Sequence, residues 1–479
     1  MIRKNVAKLG IFSLQARENA QKILISYYSG KKIRKTYFLC NVFAPILYFC
    51  RKLYLNMDKS DCLYTSYLSI LKEELVPAMG CTEPICLAYA AAKAHEILGE
   101  MPKRVEIKAS GNIIKNVKSV IVPNTKGMKG LKASVAAGIV AGNPKKALEV
   151  IAEVTPEQKK EIADFLDNTL MTIIPLNVIA QLDVTVTLYN EEHSASVRIA
   201  GFHTNIVKME KDDQVLFDSG YADSGATKLT DRKCLNMKSI FDFANTVDIE
   251  DLKPIIQPQI ECNKAISMEG LNNNWGANIG STIMSFGTDV RIKARAWAAA
   301  GSDARMSGCE MPVIINSGSG NQGMTVSLPI LAYAEEYHID DDRVYRAVAL
   351  SNLVAIHQKT GIGRLSAYCG AVSAGCASGC GIAYLMGEPL HIIEHTLENA
   401  LGIAAGIVCD GAKPSCAGKI ALSVEAGILG YEMSKQDDNL LGGDGIIGRD
   451  VEETIDHIGR LGRNGMKETD VEILKIMVE

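Results

Sequence analysis

The 479-residue sequence has no apolar run long enough to cross a bilayer. Its most apolar stretch, Tyr37 to Cys50, falls short of the roughly 20 residues a spanning helix needs, and Pro45 interrupts it. No membrane association is expected. Acid is almost missing from the first 56 residues, which hold eleven Lys/Arg and one acid, Glu18. Taking these from the chain's 51 basic and 55 acidic residues leaves 40 and 54, a net charge of −14 over residues 57–479. A body that acidic argues against nucleic acid as the main partner. The basic head is Arg/Lys-rich and acid-poor, as targeting segments are. The preferred reading is duller: Met57, opening Met-Asp-Lys-Ser-Asp, is the true start, and residues 1–56 are a non-native or disordered extension outside the fold.

Several metal and nucleotide patterns are also missing. There are no paired Cys-x2-Cys elements, which excludes a zinc ribbon, and no closely spaced cysteine run of the ferredoxin kind. No glycine-rich loop ends in Gly-Lys-Ser/Thr, so a Walker loop is excluded. Pyridoxal phosphate would need a Schiff-base lysine and a phosphate cradle. Lys126 beside Gly127 is the nearest match, and the reading does not favour it. No internal repeat or low-complexity tract is visible.

What the chain does have is cysteine. Thirteen is a high and odd count for a large chain with no convincing signal peptide. Reduced cytosolic thiols, some of them metal ligands, fit better than disulfides. Cys369 lies in Ala-Tyr-Cys-Gly-Ala-Val, and Cys409 and Cys416 frame Cys-Asp-Gly-Ala-Lys-Pro-Ser-Cys. Three converging thiolates without an obvious fourth could hold an iron–sulfur cluster with one iron open as a Lewis acid. The competing reading is packing in a helical core, as for Cys376 and Cys380. Gly411 and Pro414 break a continuous helix, which lets Cys409 and Cys416 turn toward one point.

Two further motifs stand out. In Gly80-Cys81-Thr82-Glu83-Pro84, a cysteine ahead of a helix start is expected to have a lowered pKa. Cys81 could then be a base, a nucleophile or a fourth ligand; the alternative is an ordinary capped turn with Thr82 as N-cap. Asn316-Ser-Gly-Ser-Gly-Asn-Gln-Gly323 precedes a helical run. It could bind a carboxylate or phosphate on backbone N–H groups, or be a flexible loop before a capped helix. Ser110-Gly-Asn112, Pro123 to Gly127 and His203-Thr-Asn205 are turn clusters, with His203 read as a satisfied strand residue.

The periodicities predict an α+β fold. Helices are expected over 59–99, at the N-terminal side of the fold. A smaller α/β domain follows over 101–235, with strands around Val105–Ala109, Asn116–Val122, 182–189, 194–200 and 204–210 and helices over 129–153 and 156–168. From 236 to 479 the chain reads as a large, small-residue-rich helical domain that would bind the cluster.

Taken together, Val76 to Pro84, Val122-Pro-Asn-Thr125, Asn316 to Gly323, Tyr368-Cys-Gly-Ala371, Cys409 to Cys416 and Gly445 to Thr454 resemble the L-cysteine desulfidase family, related to the alpha chain of iron–sulfur L-serine dehydratases. The resemblance runs from Met57 to Glu479. It implies a [4Fe–4S] cluster on Cys369, Cys409 and Cys416, and pyridoxal-free β-elimination from L-cysteine to pyruvate, hydrogen sulfide and ammonia. It implies Cys81 as the base that removes the α-proton. Thr82 and the loop residues Asn316, Ser317, Gly318, Ser319, Gly320 and Asn321 would contact a small amino-acid substrate. Relative to serine dehydratases, the interval between the last two ligand cysteines is shorter, and Ile473 to Glu479 carries no tail cysteine. Both move the reading toward cysteine, with L-serine dehydration second and a non-enzymatic iron–sulfur sensing or binding protein third. A cytoplasmic enzyme is expected, with a homodimer as one option for its assembly.

Overall fold

The computed structural model describes residue 57 and residues 59–176, 182–221 and 229–478; the basic head lies outside the described residues. The first helix, α1 (Cys62–Glu74), is capped by Asp61, whose carboxylate accepts from Leu63 N–H at 2.8 Å. A short strand, β1 (Pro77–Met79), leads through Gly80 and Cys81 into α2 (Thr82–Leu98), an alanine-rich helix that is almost wholly buried. Cys81, not Thr82, is its N-cap.

In β2 (Arg104–Ser110) the residues alternate as predicted, with Val105, Ile107 and Ala109 buried. The strand expected over Asn116–Val122 is not there. Instead Gly111–Val117 forms helix α3, followed by an isolated bridge between Ile121 and Lys129. Ile113, Ile114 and Val117 have helical spacing, and Ile113 and Val117 are fully buried, so tertiary packing selects the 3.6-residue period over the β propensity of the valines. The helix expected over 129–153 stops early. It is α4 (Gly130–Ala141), after which Gly142-Asn143-Pro144 starts a 3-10 turn.

A capping box at Thr155 and Gln158 starts α5 (Pro156–Asn168). Then come β3 (Leu170–Leu176), β4 (Asp183–Tyr189), β5 (Ser194–Ala200), β6 (Ile206–Lys211) and β7 (Gln214–Asp218). They form a six-stranded sheet of order β3-β2-β4-β5-β6-β7, in which β2 and β3 are parallel and the other pairs antiparallel. The periodicity predicts neither β3 nor β7. Both are edge strands: Pro175 sits in the first, and every residue of the second is exposed, so neither shows a clean alternation.

The remainder is helical: α6 (Met237–Thr246), α7 (Ile249–Asn272), α8 (Ile279–Met284) and α9 (Val290–Met306), then a short strand β8 (Pro312–Ile314) and α10 (Gly320–Tyr337). After these come α11 (Asp341–Ile362), α12 (Gly370–Met386), α13 (Leu390–Ala404), α14 (Cys416–Lys435), α15 (Val451–Arg460) and α16 (Lys467–Val478). The fold is α+β, a large helical body with a smaller mixed sheet. Among the described residues no helix is long and apolar enough to cross a membrane.

Two contacts in this frame position the site. β1 and β8 pair antiparallel, Ala78 opposite Val313, and so bring the Cys81 turn and the Asn316 loop into one neighbourhood. The helices that start at Gly370 and Cys416, α12 and α14, touch backbone to backbone: a Cβ at Gly379 would stand 2.4 Å from the Gly427 carbonyl oxygen. No side chain fits there, and the close approach fixes the spacing of the two helix starts. Gly379→Ala is expected to lower stability by about 1–3 kcal/mol through overpacking, read as a fall in the urea midpoint. An unchanged midpoint would contradict backbone contact between these helices.

Candidate active site

Cys369, Cys409 and Cys416 line one cavity. Cys369 is the N-cap of α12 and Cys416 the first residue of α14. Cys409 is held by a two-stranded bridge: Tyr368 pairs with Val408, Cys369 N–H donates to Ile407 O at 3.2 Å, and Cys409 N–H donates to Ala367 O at 2.6 Å. The loop between Cys409 and Cys416 turns at Gly411, φ +91°, where a Cβ would strike the Lys115 carbonyl oxygen at 2.5 Å. Asp410 ties that loop to Lys413 and Lys419, and the Lys419 ammonium also donates to Val408 O at 2.9 Å.

The three thiols are free of disulfides. Burial, and then the neighbouring Cys409 and Cys416, push the Cys369 thiol up to about 12. Burial likewise raises Cys416. Among the described residues no three His, Cys, Asp or Glu side chains close on a point as the ligands of a single ion do. Thiolates around a cluster bind different irons and need only ring it. Soft donors on three sides of one cavity, with the cation Lys359 buried against Cys409 and Cys369, suit such an anionic group.

The second wall is built around Glu83. Its carboxylate is buried and accepts from Cys81 Sγ at 3.0 Å and Asn116 Nδ2 at 3.0 Å; the Thr82 hydroxyl lies 3.1 Å away and His203 Nε2 3.9 Å away. Burial alone would raise this carboxyl's pKa, but the nearby His203 ring and the Cys81 hydrogen bond outweigh it, and Glu83 stays ionised well below the usual range. The effect on Cys81 is the reverse of the expectation from its turn. Burial first, and then the charge of Glu83, push the thiol well above its ordinary value. The proton stays on sulfur, and Cys81 rests as a thiol donating to Glu83. His203, expected in a strand, lies in the turn before β6 and lines the cavity.

The Asn316 loop forms the third wall. Ser317, Gly318, Ser319 and Asn321 line the cavity, whereas Asn316 and Gly320 do not. The Asn316 amide donates to Asn352 Oδ1 at 2.8 Å, and Asn352 in turn donates to Gln259 Oε1 at 2.7 Å, a buried chain that fixes the loop's base. Thr82 lies behind the wall and donates its hydroxyl to Gly318 O at 2.7 Å, locking the Cys81 turn to this loop. Ser317 and Gly318 both have positive φ, 49° and 80°, so the loop turns tightly ahead of α10.

The cavity is about 100 Å³. Buried polar atoms without partners gather on its walls: Asn116 Oδ1, His203 Nε2, Arg305 Nε and Nη2, Gln322 Oε1 and the Tyr368 hydroxyl. Each such atom costs about 1–3 kcal/mol if it stays unpaired, so their concentration here points to a polar guest. Sequence reasoning missed Glu83, His203, Arg305 and Lys359 as site residues. Glu83 carried a signal in its place in the Gly-Cys-Thr-Glu-Pro turn, and His203 in its turn cluster with Thr204 and Asn205; Arg305 and Lys359 carried none.

Residues 145–475 match the family model described as serine dehydratase alpha chain. A UPF0597 protein of Desulfitobacterium hafniense is 54% identical over 423 residues, covering 88% of this chain and 98% of that relative. A UPF0597 protein of Finegoldia magna is 48% identical over 416 residues, covering 86% and 99%. One of Treponema denticola is 45% identical over 432 residues, covering 89% and 100%.

Glu83 makes stability depend on pH. Its pKa is lower folded than unfolded, so its contribution is fully present above the ordinary value of 4.5 and is lost as pH falls toward the folded value. Glu83→Gln is expected to cost about 1–3 kcal/mol at neutral pH, and the gap to the parent protein should narrow below pH 4.5. Urea titrations from pH 7 to pH 3 measure this; a gap that stays constant would contradict an ionised, buried Glu83.

Proposed function

We propose that this chain, which belongs to the serine dehydratase alpha chain family, is a lyase that removes the β-substituent from a small amino acid, with L-cysteine as its substrate. Pyruvate, hydrogen sulfide and ammonia are the products. The observation that carries this reading is the meeting of three free cysteines, the Cys81–Glu83 pair and the Asn316 loop on one small, buried cavity. Cys369, Cys409 and Cys416 would hold an iron–sulfur cluster. When bound, it supplies a Lewis-acid iron that eases departure of the leaving group.

The chain's own residues do the rest. Ser317, Gly318, Ser319 and Asn321 form the wall on which the substrate's polar head rests, close to the N-terminus of α10. Cys81 takes the α-proton. It must first become a thiolate, which the resting site disfavours. As a substrate ammonium arrives beside the pair, the Cys81 proton passes along its hydrogen bond to the Glu83 carboxylate, and the positive charge stabilises the thiolate so formed, so the base is made when substrate arrives. Glu83, now carrying that proton, donates it back across the same contact and holds the thiolate in line. The walls exclude bulk water, which strengthens these interactions.

Serine is the second substrate, favoured by the family's description. Anaerobic kcat/KM for L-cysteine against L-serine decides between them. The account predicts the higher value for cysteine, with sulfide released in step with pyruvate; a higher value for serine would reverse the assignment. Cys81→Ser is expected to lower kcat by roughly 100- to 10,000-fold, the range for losing a general base. Full turnover by that variant would remove Cys81 from the mechanism.

A further inference from the structure

Arg305 stands on the last turn of α9, is only 2% exposed, and faces the cavity. It has one polar partner: Nη1 donates to Asn321 Oδ1 at 3.0 Å. Nε and Nη2, the two N–H groups along one edge of the guanidinium, are buried and unpaired. Among the described residues no carboxylate lies within ion-pair distance of Arg305, and the nearby carboxylate of Glu83 already accepts from Cys81 and Asn116. A guanidinium cannot shed its charge as a lysine can, so two buried N–H groups left unpaired on it call for an anionic acceptor.

The backbone around Arg305 is shaped to it. The guanidinium packs against Gly320, the first residue of α10, where only a glycine leaves it room: a Cβ there would stand 2.4 Å from Nε and 2.8 Å from Cζ. Ser319, the N-cap, makes no side-chain cap bond, so the positive end of an 18-residue helix opens beside the free edge of the guanidinium. An edge of two parallel N–H donors matches the two oxygens of a carboxylate.

We propose that Arg305 is the specificity-determining residue that receives the substrate's α-carboxylate through Nε and Nη2, with Asn321 holding the third nitrogen in place. This rests on the reading that the cavity takes a small amino acid. It deepens that reading by assigning the carboxylate to a side chain on α9 and leaving the loop to shape the wall. The site would then accept α-amino acids and reject the corresponding amides and amines, because a neutral guest leaves the buried charge unpaired.

Calorimetric titration of the full chain, purified anaerobically, tests this without catalysis. L-Alanine has the α-carboxylate and ammonium but no leaving group, and L-alaninamide lacks the carboxylate. The parent protein should bind alanine in preference to the amide. Arg305→Gln should weaken alanine binding by roughly 10- to 100-fold, the range for hydrogen bonds to a charged group, and abolish the preference while iron content and urea midpoint stay at parent values. Arg305→Lys keeps the charge without the fork, should fold in either case, and should restore only part of the binding. Alanine binding at parent strength in either variant would overturn the proposal, as would loss of iron or of the midpoint together with binding. A parent protein that ignores alanine would also overturn it. The two readings fail separately: a protein that turns over neither cysteine nor serine but needs Arg305 to prefer alanine leaves this assignment standing. Lyase activity with an unchanged KM in Arg305→Gln would sink this assignment alone.

Discussion

A carboxylate taken out of water has to be surrounded by donors, and Glu83 is the residue whose needs organise this site. It accepts from Cys81 on the turn after β1 and from Asn116 on α3, with the Thr82 hydroxyl and His203 of the β5–β6 turn alongside. Those are three separate pieces of the chain. The same Thr82 hydroxyl reaches on to the Gly318 carbonyl, so the Asn316 loop is tied to the cluster of bonds as well. An ionised group at the centre of such a network resists any arrangement that leaves a donor or the charge unsatisfied.

Charge then divides the cavity. Glu83 is the anion on one side. Arg305 and Lys359 are buried cations facing the three thiols and the loop, and burial lowers the Lys359 ammonium to about 8 while the nearby cysteines oppose that shift. Cations near the thiols and at the loop, with an anion at the Cys81 end, would suit a zwitterionic guest. The long-range fold serves it: the Gly379–Gly427 contact sets the spacing of α12 and α14, whose first turns carry Cys369 and Cys416.

Much of this was legible in the sequence where a local rule decides the matter. Alternation picked out β2, β4 and β5, and Ala/Gly density marked the closely packed helices. Glycine and proline between Cys409 and Cys416 announced a turn, and Gly411 makes it. The failures have a common cause in burial. Local propensity made a strand of Asn116–Val122, whereas packing makes 111–117 a helix and delivers Asn116 to Glu83. The turn geometry pointed to an acidified Cys81, and burial of the thiol, helped by the charge of Glu83 next door, reverses the sign. Arg305 and Lys359 sit in helical stretches that read as ordinary, and only the folded chain brings their charges out of water and onto one cavity. The family resemblance carried the choice of Cys369 over Cys376 and Cys380, which spacing alone left open.

The central claim is that Cys369, Cys409 and Cys416 serve as ligands of a catalytic cluster. Its most direct test is the iron and sulfide content of anaerobically purified protein, with its visible absorption spectrum, measured beside sulfide release from L-cysteine. The account predicts a brown protein holding iron and sulfide in equal amounts, with activity that rises and falls with that content. A colourless, iron-free protein that still releases sulfide from L-cysteine would contradict it.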